Sequence, residues 1–254
     1  MNLLKAITTV GGFTMISRVF GFVRDMLIAA LLGAGPMADA FFVAFKLPNL
    51  FRRLFAEGAF SAAFVPIYAG KLETEGEGSA REFAQSSFAV MIVLLAVFVG
   101  VIELAMPLVM RIFAPGFLDD PEQFNLTVLL SRITFPYLLF ISLVSLIAGV
   151  LNSSGRFAAA AATPILLNFC LIGAILFLSP MLPSPGHALA WGVALAGLVQ
   201  FIWLYGALAR SGFYLKLRMP RITDDIKTLF RRALPVAFGA GIYQSNLVID
   251  TVIA

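Results

Sequence analysis

Residues 36–70 read PMADAFFVAFKLPNLFRRLFAEGAFSAAFVPIYAG. The run is mostly apolar and longer than the roughly 20 helical residues that cross a bilayer. It nevertheless carries Asp39, Lys46, Arg52, Arg53 and Glu57. An arginine at the centre of a lipid-facing helix costs ~2.5–3.5 kcal/mol on insertion scales. The charged face of this helix is therefore predicted to border water or protein. The preceding run, residues 6–33, repeats the pattern with Arg18, Arg24 and Asp25 inside it. Facing lipid, Arg18, Arg24, Lys46, Arg52 and Arg53 together would cost on the order of 10 kcal/mol.

The rest of the chain has the same solvent requirement. Of 254 residues, 60% are hydrophobic and 13% charged, and the mean hydropathy is +0.95. A soluble domain has about half apolar and a quarter charged residues. Apolar runs at 6–33, 37–70, 79–113, 123–152, 157–180, 187–209 and 225–254 alternate with short polar or Gly/Pro connections. The expected class is an all-α, polytopic membrane protein with about seven transmembrane helices. Bends are expected at Pro48, Pro107, Pro136 and Pro164. A cleavable signal peptide would explain Lys5 and the apolar stretch after it, but Arg18 and Arg24 interrupt that stretch.

Several function classes are excluded by what is missing. The single cysteine, Cys170, allows no internal disulfide, and the single histidine, His187, allows no His/Cys metal cluster. There is no G-x-x-x-x-G-K-[ST] loop, G-x-S-x-G, H-E-x-x-H or C-x-x-C. The net charge of +4 is split between loops and helix interiors, which does not suit nucleic acid. No cofactor is expected, and any work would draw on the membrane potential, a monovalent cation gradient or another subunit.

Loop charges set the orientation. With the N-terminus in the cytoplasm, that side holds Lys5, Lys71, Arg81, Arg156, Arg210, Lys216, Arg218, Arg221, Lys227, Arg231 and Arg232. The opposite side keeps Arg111 beside Asp119, Asp120 and Glu122. Residues 1–209 read as a six-helix lobe, 210–224 as a basic cytoplasmic linker with membrane lipids as partners, and 225–254 as the first helix of a second lobe. The apolar run reaches Ala254 without a cap, so a fragment, or half of a longer protein, is expected.

If helices one and two form a hairpin about Gly35, residues equally far from the turn share a depth. Arg18 then lies level with Arg52, and Arg24 with Lys46. Asp25, Asp39 and Glu57 are the local carboxylates, with Glu57 in reach of Arg53 at i,i+4 and Asp25 on the face of Arg18 at i+7. A purely structural role would pair every cation, but five cations share three carboxylates. The surplus suits an anion that arrives and leaves, and arginine's planar fork matches phosphate. Elsewhere ordinary roles suffice. Glu103 and Arg132 are matched in depth and expected to pair. Asn246 and Asp250 share a face at i,i+4, where helix packing is expected ahead of a cation site. The 25 phenylalanines suit packing and lipid contact.

The stretch from Asp39 to Ser61, followed by Ala-Ala-Phe-Val-Pro66, resembles the signature of the MurJ (MviN) family of lipid II flippases. Ser17-Arg18-Val-Phe-Gly-Phe-Val-Arg24-Asp25 resembles that family's first helix, and Ile133–Tyr137, Leu151-Asn152 and Pro164–Asn168 are similar too. The resemblance implies the N-terminal half of a MOP-superfamily exporter with two six-helix lobes around a central cavity and two further C-terminal helices. It implies a multi-pass protein of the bacterial cytoplasmic (inner) membrane. Alternating access would carry lipid II, the undecaprenyl diphosphate-linked peptidoglycan precursor, to the outer leaflet, with the C-terminal half of the same protein as partner. By this resemblance Arg18, Arg24, Arg52 and Asp39 would bind substrate. Ser17, Asp25, Lys46, Arg53 and Glu57 would support the cavity. A further family arginine falls beyond Ala254. The rivals are a flippase for another undecaprenyl-linked glycan, a drug exporter, a non-transporting scaffold for cell-wall enzymes, and an enzyme acting on lipid diphosphates. A drug exporter needs acidic cavity residues for cations, and the enzyme would need a carboxylate cluster for metal.

Overall fold

The computed structural model describes the backbone of residues 3–216 and 219–253, and the side chains of residues 7–53, 58–216 and 219–239. Helix α1 spans Leu3–Leu32. After a turn at Gly33 and Gly35, α2 (Pro36–Phe51) continues into a π-helical segment (Arg52–Phe60) and then α3 (Ser61–Thr74). The long α4 (Glu77–Phe113) leads through a short turn to α5 (Pro121–Thr134), which passes Pro136 into α6 (Tyr137–Ser153). A single turn, α7 (Ala158–Ala161), precedes α8 (Thr163–Gly173) and a second π segment (Ala174–Leu178). Helices α9 (Pro185–Arg210) and α10 (Asp224–Ile253) complete the chain, and no strand occurs among the described residues.

Among the described residues, four helical stretches are long and apolar enough to cross a membrane: Glu77–Phe113, Pro121–Ser153, Ala158–Met181 and Pro185–Arg210. Their outer faces fit that role. Along α4, Val97, Val101, Leu104, Leu108 and Ile112 are exposed, as are Trp191, Ile202 and Trp203 on α9. The prolines behave in two ways. Pro136 breaks the helix and Pro164 starts one, whereas Pro48 and Pro107 sit inside helices that continue through them.

The centre of the bundle is α9, packed against α6, α8, α5 and α2. Gly197 permits the approach to α6, because a β-carbon there would lie 2.9 Å from the Tyr137 ring. The phenylalanines divide as expected between packing and outer surface. Phe41, Phe64, Phe83, Phe88 and Phe135 are buried, whereas Phe22, Phe42, Phe177 and Phe238 are exposed. Buried hydroxyls and amides join helices where apolar contact alone has little directional preference. The Gln200 amide on α9 donates to the Thr163 carbonyl at the start of α8 (2.8 Å).

The expected hairpin of helices one and two is not formed. Helix α1 packs along α7 and α8, whereas α2 packs along α5 and α9. The short glycine turn joins the two helices, but the neighbours that bury each of them diverge. The expected pair of Glu103 and Arg132 does not close a salt bridge, although the Arg132 charge is near enough to act on the Glu103 carboxyl. Arg132 is exposed, while Glu103 keeps one carboxylate oxygen buried without a hydrogen bond. Counting from the loop brought the two within electrostatic reach but not into direct contact. Ser131 and Thr134, flanking Arg132, occupy the buried face of α5.

Helix α10 packs on the first π segment, α3 and α4. Its first turn is fastened by Lys71, which contacts Glu75 and Asp225 at 3.1 Å each. Burial alone would lower the Lys71 pKa, but those two carboxylates outweigh it and hold it above the ordinary lysine value. Asn246 and Asp250 lie outside the described side chains.

Pro48 lacks an N–H, so it cannot donate to the Ala44 carbonyl one turn back. The Thr134 hydroxyl of α5 donates to that carbonyl instead, at 2.9 Å in a fully buried position. Thr134→Val is expected to lower stability by about 1 kcal/mol, read as a lower thermal midpoint in detergent. In a Pro48→Ala background the restored N–H takes over the carbonyl, so the same substitution should cost less. Equal costs in the two backgrounds would disprove this compensation.

Candidate functional site

The charged residues of α1 and α2 stand on two separate walls. On α1, Ser17, Gly21 and Arg24 recur along the face packed on α8, and Asn168 of α8 sits between them. The Asn168 amide donates to the Ser17 carbonyl at 2.9 Å and approaches its hydroxyl at 3.5 Å. Its oxygen accepts from Arg24 Nη1 at 2.8 Å. Arg24 also donates through Nε (2.9 Å) and Nη2 (2.7 Å) to one oxygen of Asp25. The guanidinium is thus held on three of its nitrogens, with the Arg24 side chain 22% exposed and that of Asp25 66% exposed. Asp25 therefore serves Arg24, not Arg18 as its i+7 spacing suggested.

Arg18 follows Ser17 on the edge of this seam and is exposed. Its surroundings on α1 are apolar and equally exposed, including Met15, Val19 and Phe22. Exposed cations and exposed apolar groups on one helix need both water and lipid beside it.

The second wall is the junction of α2 with the π segment. Asp39 lies exposed in the first turn of α2, where the helix dipole favours an anion. Lys46 and Arg53 are exposed, and Arg52 is half-buried. Arg52 Nε donates to Asn49 Oδ1 at 3.3 Å, while Asn49 donates to the Phe45 carbonyl at 3.0 Å. The Glu57 side chain lies outside the described residues.

The π segment has a local cause. In π geometry the carbonyl of residue i−5 turns toward residue i. A β-carbon on Gly58 would lie 2.7 Å from the Arg53 carbonyl oxygen, a distance side chains do not occupy. Gly58 is thus the residue that lets the wide turn form. Such segments occur often at functional sites, and this one carries Arg52 and Arg53. Among the described residues no three His, Cys, Asp or Glu side chains come together as metal ligands.

Two residues important to this arrangement were not singled out from the sequence as site residues. Asn168 stood only in the stretch Pro164–Asn168, with nothing to show that it reaches a residue 144 positions earlier. Gly58 stood in the signature stretch without a stated role.

Comparison with known proteins gives a consistent picture. The family model described as Lipid II flippase MurJ matches residues 28–254. A probable lipid II flippase MurJ of Rhizobium tropici is 46% identical over 258 residues, covering 100% of this chain and 48% of that protein. The chain therefore spans about half the length of such curated relatives. A solved lipid II flippase MurJ in an inward closed conformation matches with a TM-score of 0.75 at 25% identity, covering 95% of this chain and 49% of that one. An outward-facing multidrug resistance MATE transporter of the MOP superfamily matches in fold, with a TM-score of 0.71 at 17% identity over 93% of this chain and 52% of its own.

Asn168→Leu leaves Arg24 Nη1 without its acceptor and is expected to cost about 1–3 kcal/mol. Asn168→Asp keeps an acceptor for Arg24 and should cost less. Thermal unfolding of the purified variants checks the order, and equal losses would mean that Arg24 is not held through Asn168. Gly58→Ala should cost about 1–3 kcal/mol through overpacking. An unchanged midpoint would show that the π segment does not require glycine.

Proposed function

This chain belongs to the MurJ family of lipid II flippases, and from that premise we propose that it is the N-terminal half of a flippase for lipid II. Its arginines bind the diphosphate of the substrate. The family is one of transporters, and the helices are those of a multi-pass membrane protein. On this reading residues 1–209 are one six-helix lobe, 210–224 the basic linker and 225–254 the first helix of the second lobe. The lobe lies in the cytoplasmic membrane with its N-terminus inside, as its loop charges favour.

The observation that carries the proposal is the chemical contrast on α1 and α2. Arg18, Lys46 and Arg53 are exposed on helices whose other exposed residues are largely apolar. Guanidinium and ammonium groups so placed are stable beside an aqueous chamber and costly beside lipid. The second lobe would close the far side of that chamber. A diphosphate entering it meets planar donors suited to bidentate contact. The sugars and peptide would occupy the polar chamber while the polyprenyl chain remains in lipid. Asp39 would compete for the cations as substrate leaves, and rocking of one lobe against the other supplies alternating access. The membrane potential or a monovalent cation gradient would drive the cycle, at ~2.3 kcal/mol per charge per 100 mV.

A flippase for another undecaprenyl-linked glycan shares the diphosphate and differs in sugars. Competition between defined lipid-linked substrates separates the two. A scaffold for cell-wall enzymes would tolerate neutral residues at positions 18, 24 and 52.

In the full-length protein, Arg52→Ala is expected to lower translocation of fluorescent lipid II in proteoliposomes by tenfold or more, given ~1.5–3 kcal/mol per charged hydrogen bond. Arg52→Lys keeps the charge without the fork and should recover only part of the loss. Wild-type rates in both variants, at equal protein levels, would refute diphosphate recognition by this residue.

A further inference from the structure

A polar cavity of about 310 Å³ lies where three connections meet at one end of the bundle, and no residue of α1 or α2 lines it. Its walls include Tyr68, Glu77, Arg81, Ser154, Arg156 and Phe213. Two identical chain reversals shape it. At the end of α6, Gly155 (φ 73°) donates to the Asn152 carbonyl and Arg156 to the Leu151 carbonyl. At the end of α9, Gly212 (φ 83°) donates to the Ala209 carbonyl and Phe213 to the Leu208 carbonyl. Both are glycine-terminated helix caps of the Schellman type, in which the residue after the glycine turns back across the helix end. One delivers Arg156 to the cavity and the other delivers Phe213.

The two arginines are differently prepared. The Arg81 guanidinium lies 4.8 Å from the centre of the Phe213 ring and donates to the Gly212 carbonyl at 3.4 Å. Stacking fixes its plane and leaves further N–H groups of the fork available. Arg156 has no side-chain hydrogen bond or ion pair among the described residues. Glu77, one turn before Arg81, forms no ion pair with it and lies exposed. The Ser154 and Ser211 hydroxyls donate to the Val150 and Leu208 carbonyls of their own helices. Besides the Tyr68 hydroxyl, which is in hydrogen-bond reach of Ser154, the donors left for a guest are the guanidinium groups.

We propose that this cavity binds a phosphate group through Arg81 and Arg156. The volume admits a phosphate with part of an attached headgroup, and a positioned guanidinium beside an unengaged one is a bidentate phosphate receptor in outline. The phosphate comes either from an anionic lipid of the adjacent leaflet or from a free phosphate compound. Neither source depends on the arginines of α1 and α2, so this site and lipid II recognition can fail independently.

The test uses the full-length protein with Arg156→Gln, Arg81→Gln and the double variant. One arm measures retention of phosphatidylglycerol against phosphatidylcholine by native mass spectrometry. The other measures the thermal shift with inorganic phosphate against chloride at equal ionic strength. A lipid site predicts that phosphatidylglycerol retention falls about tenfold or more in the double variant with no response to inorganic phosphate. A site for free phosphate predicts a thermal shift with inorganic phosphate that the variants lose. Because the Arg156 side chain holds no other group among the described residues, Arg156→Gln alone decides if Arg81→Gln does not fold. Equal lipid retention and equal phosphate response in wild type and Arg156→Gln would overturn the proposal.

Discussion

A guanidinium in a bilayer needs a partner or water, and the arrangement of the first two helices follows from that requirement. Arg24 has partners. Asn168 and Asp25 take three of its nitrogens, and the same asparagine grips the Ser17 carbonyl. One side chain from α8 thereby fixes both the register of α1 and the direction of its half-buried arginine. Arg18, one residue beyond the seam, is left exposed. The two arginines of α1 thus differ not in chemistry but in which side of a packed face each occupies.

The backbone obeys the same rule as the side chains, because lipid offers no hydrogen bonds to a carbonyl released by a helix irregularity. Helix α2 contains such an irregularity at Pro48, and Thr134 answers it from α5. Four residues later the helix widens into a π segment that Gly58 makes sterically possible. Proline, threonine and glycine therefore meet where one helix loses a backbone hydrogen bond and then widens, at Arg52 and Arg53. A regular helix through the same sequence would rotate those side chains relative to α5 and α9, against which α2 is packed.

Fold class was legible from composition and from apolar runs, since both record the solvent directly. Helix limits followed to within a few residues where a Pro or Gly marks them, as at Pro36, Pro121 and Pro185. Azimuth was less legible. Counting from a turn places Glu103 near Arg132 and Arg24 near Lys46, but it presumes that sequence neighbours pack side by side. Here α1 turns to α8 and α2 to α5, and Arg132 stays within electrostatic reach of Glu103 without closing a salt bridge. The Asn168 clamp and the π segment were illegible for a related reason. Each rests on a contact outside the local periodicity, one with a residue 144 positions away and one with a carbonyl five positions back.

The pairing of Arg24 with Asp25 bears on how a transporter can release what it binds. A receptor made only of unpaired cations would hold a diphosphate strongly and return it slowly. On the proposed function, a carboxylate already seated on the guanidinium would exchange places with the incoming anion, so that binding would replace one ion pair by another instead of creating one from nothing. Differential affinity between two conformations would then need only a change in how well Asp25 reaches Arg24. Asn168 makes that change mechanical, because it ties the same guanidinium to α8 and the same stretch of α1 to its neighbour. On the proposed function, a small rotation of α1 against α8 would alter charge pairing and substrate affinity together, with no additional switch required.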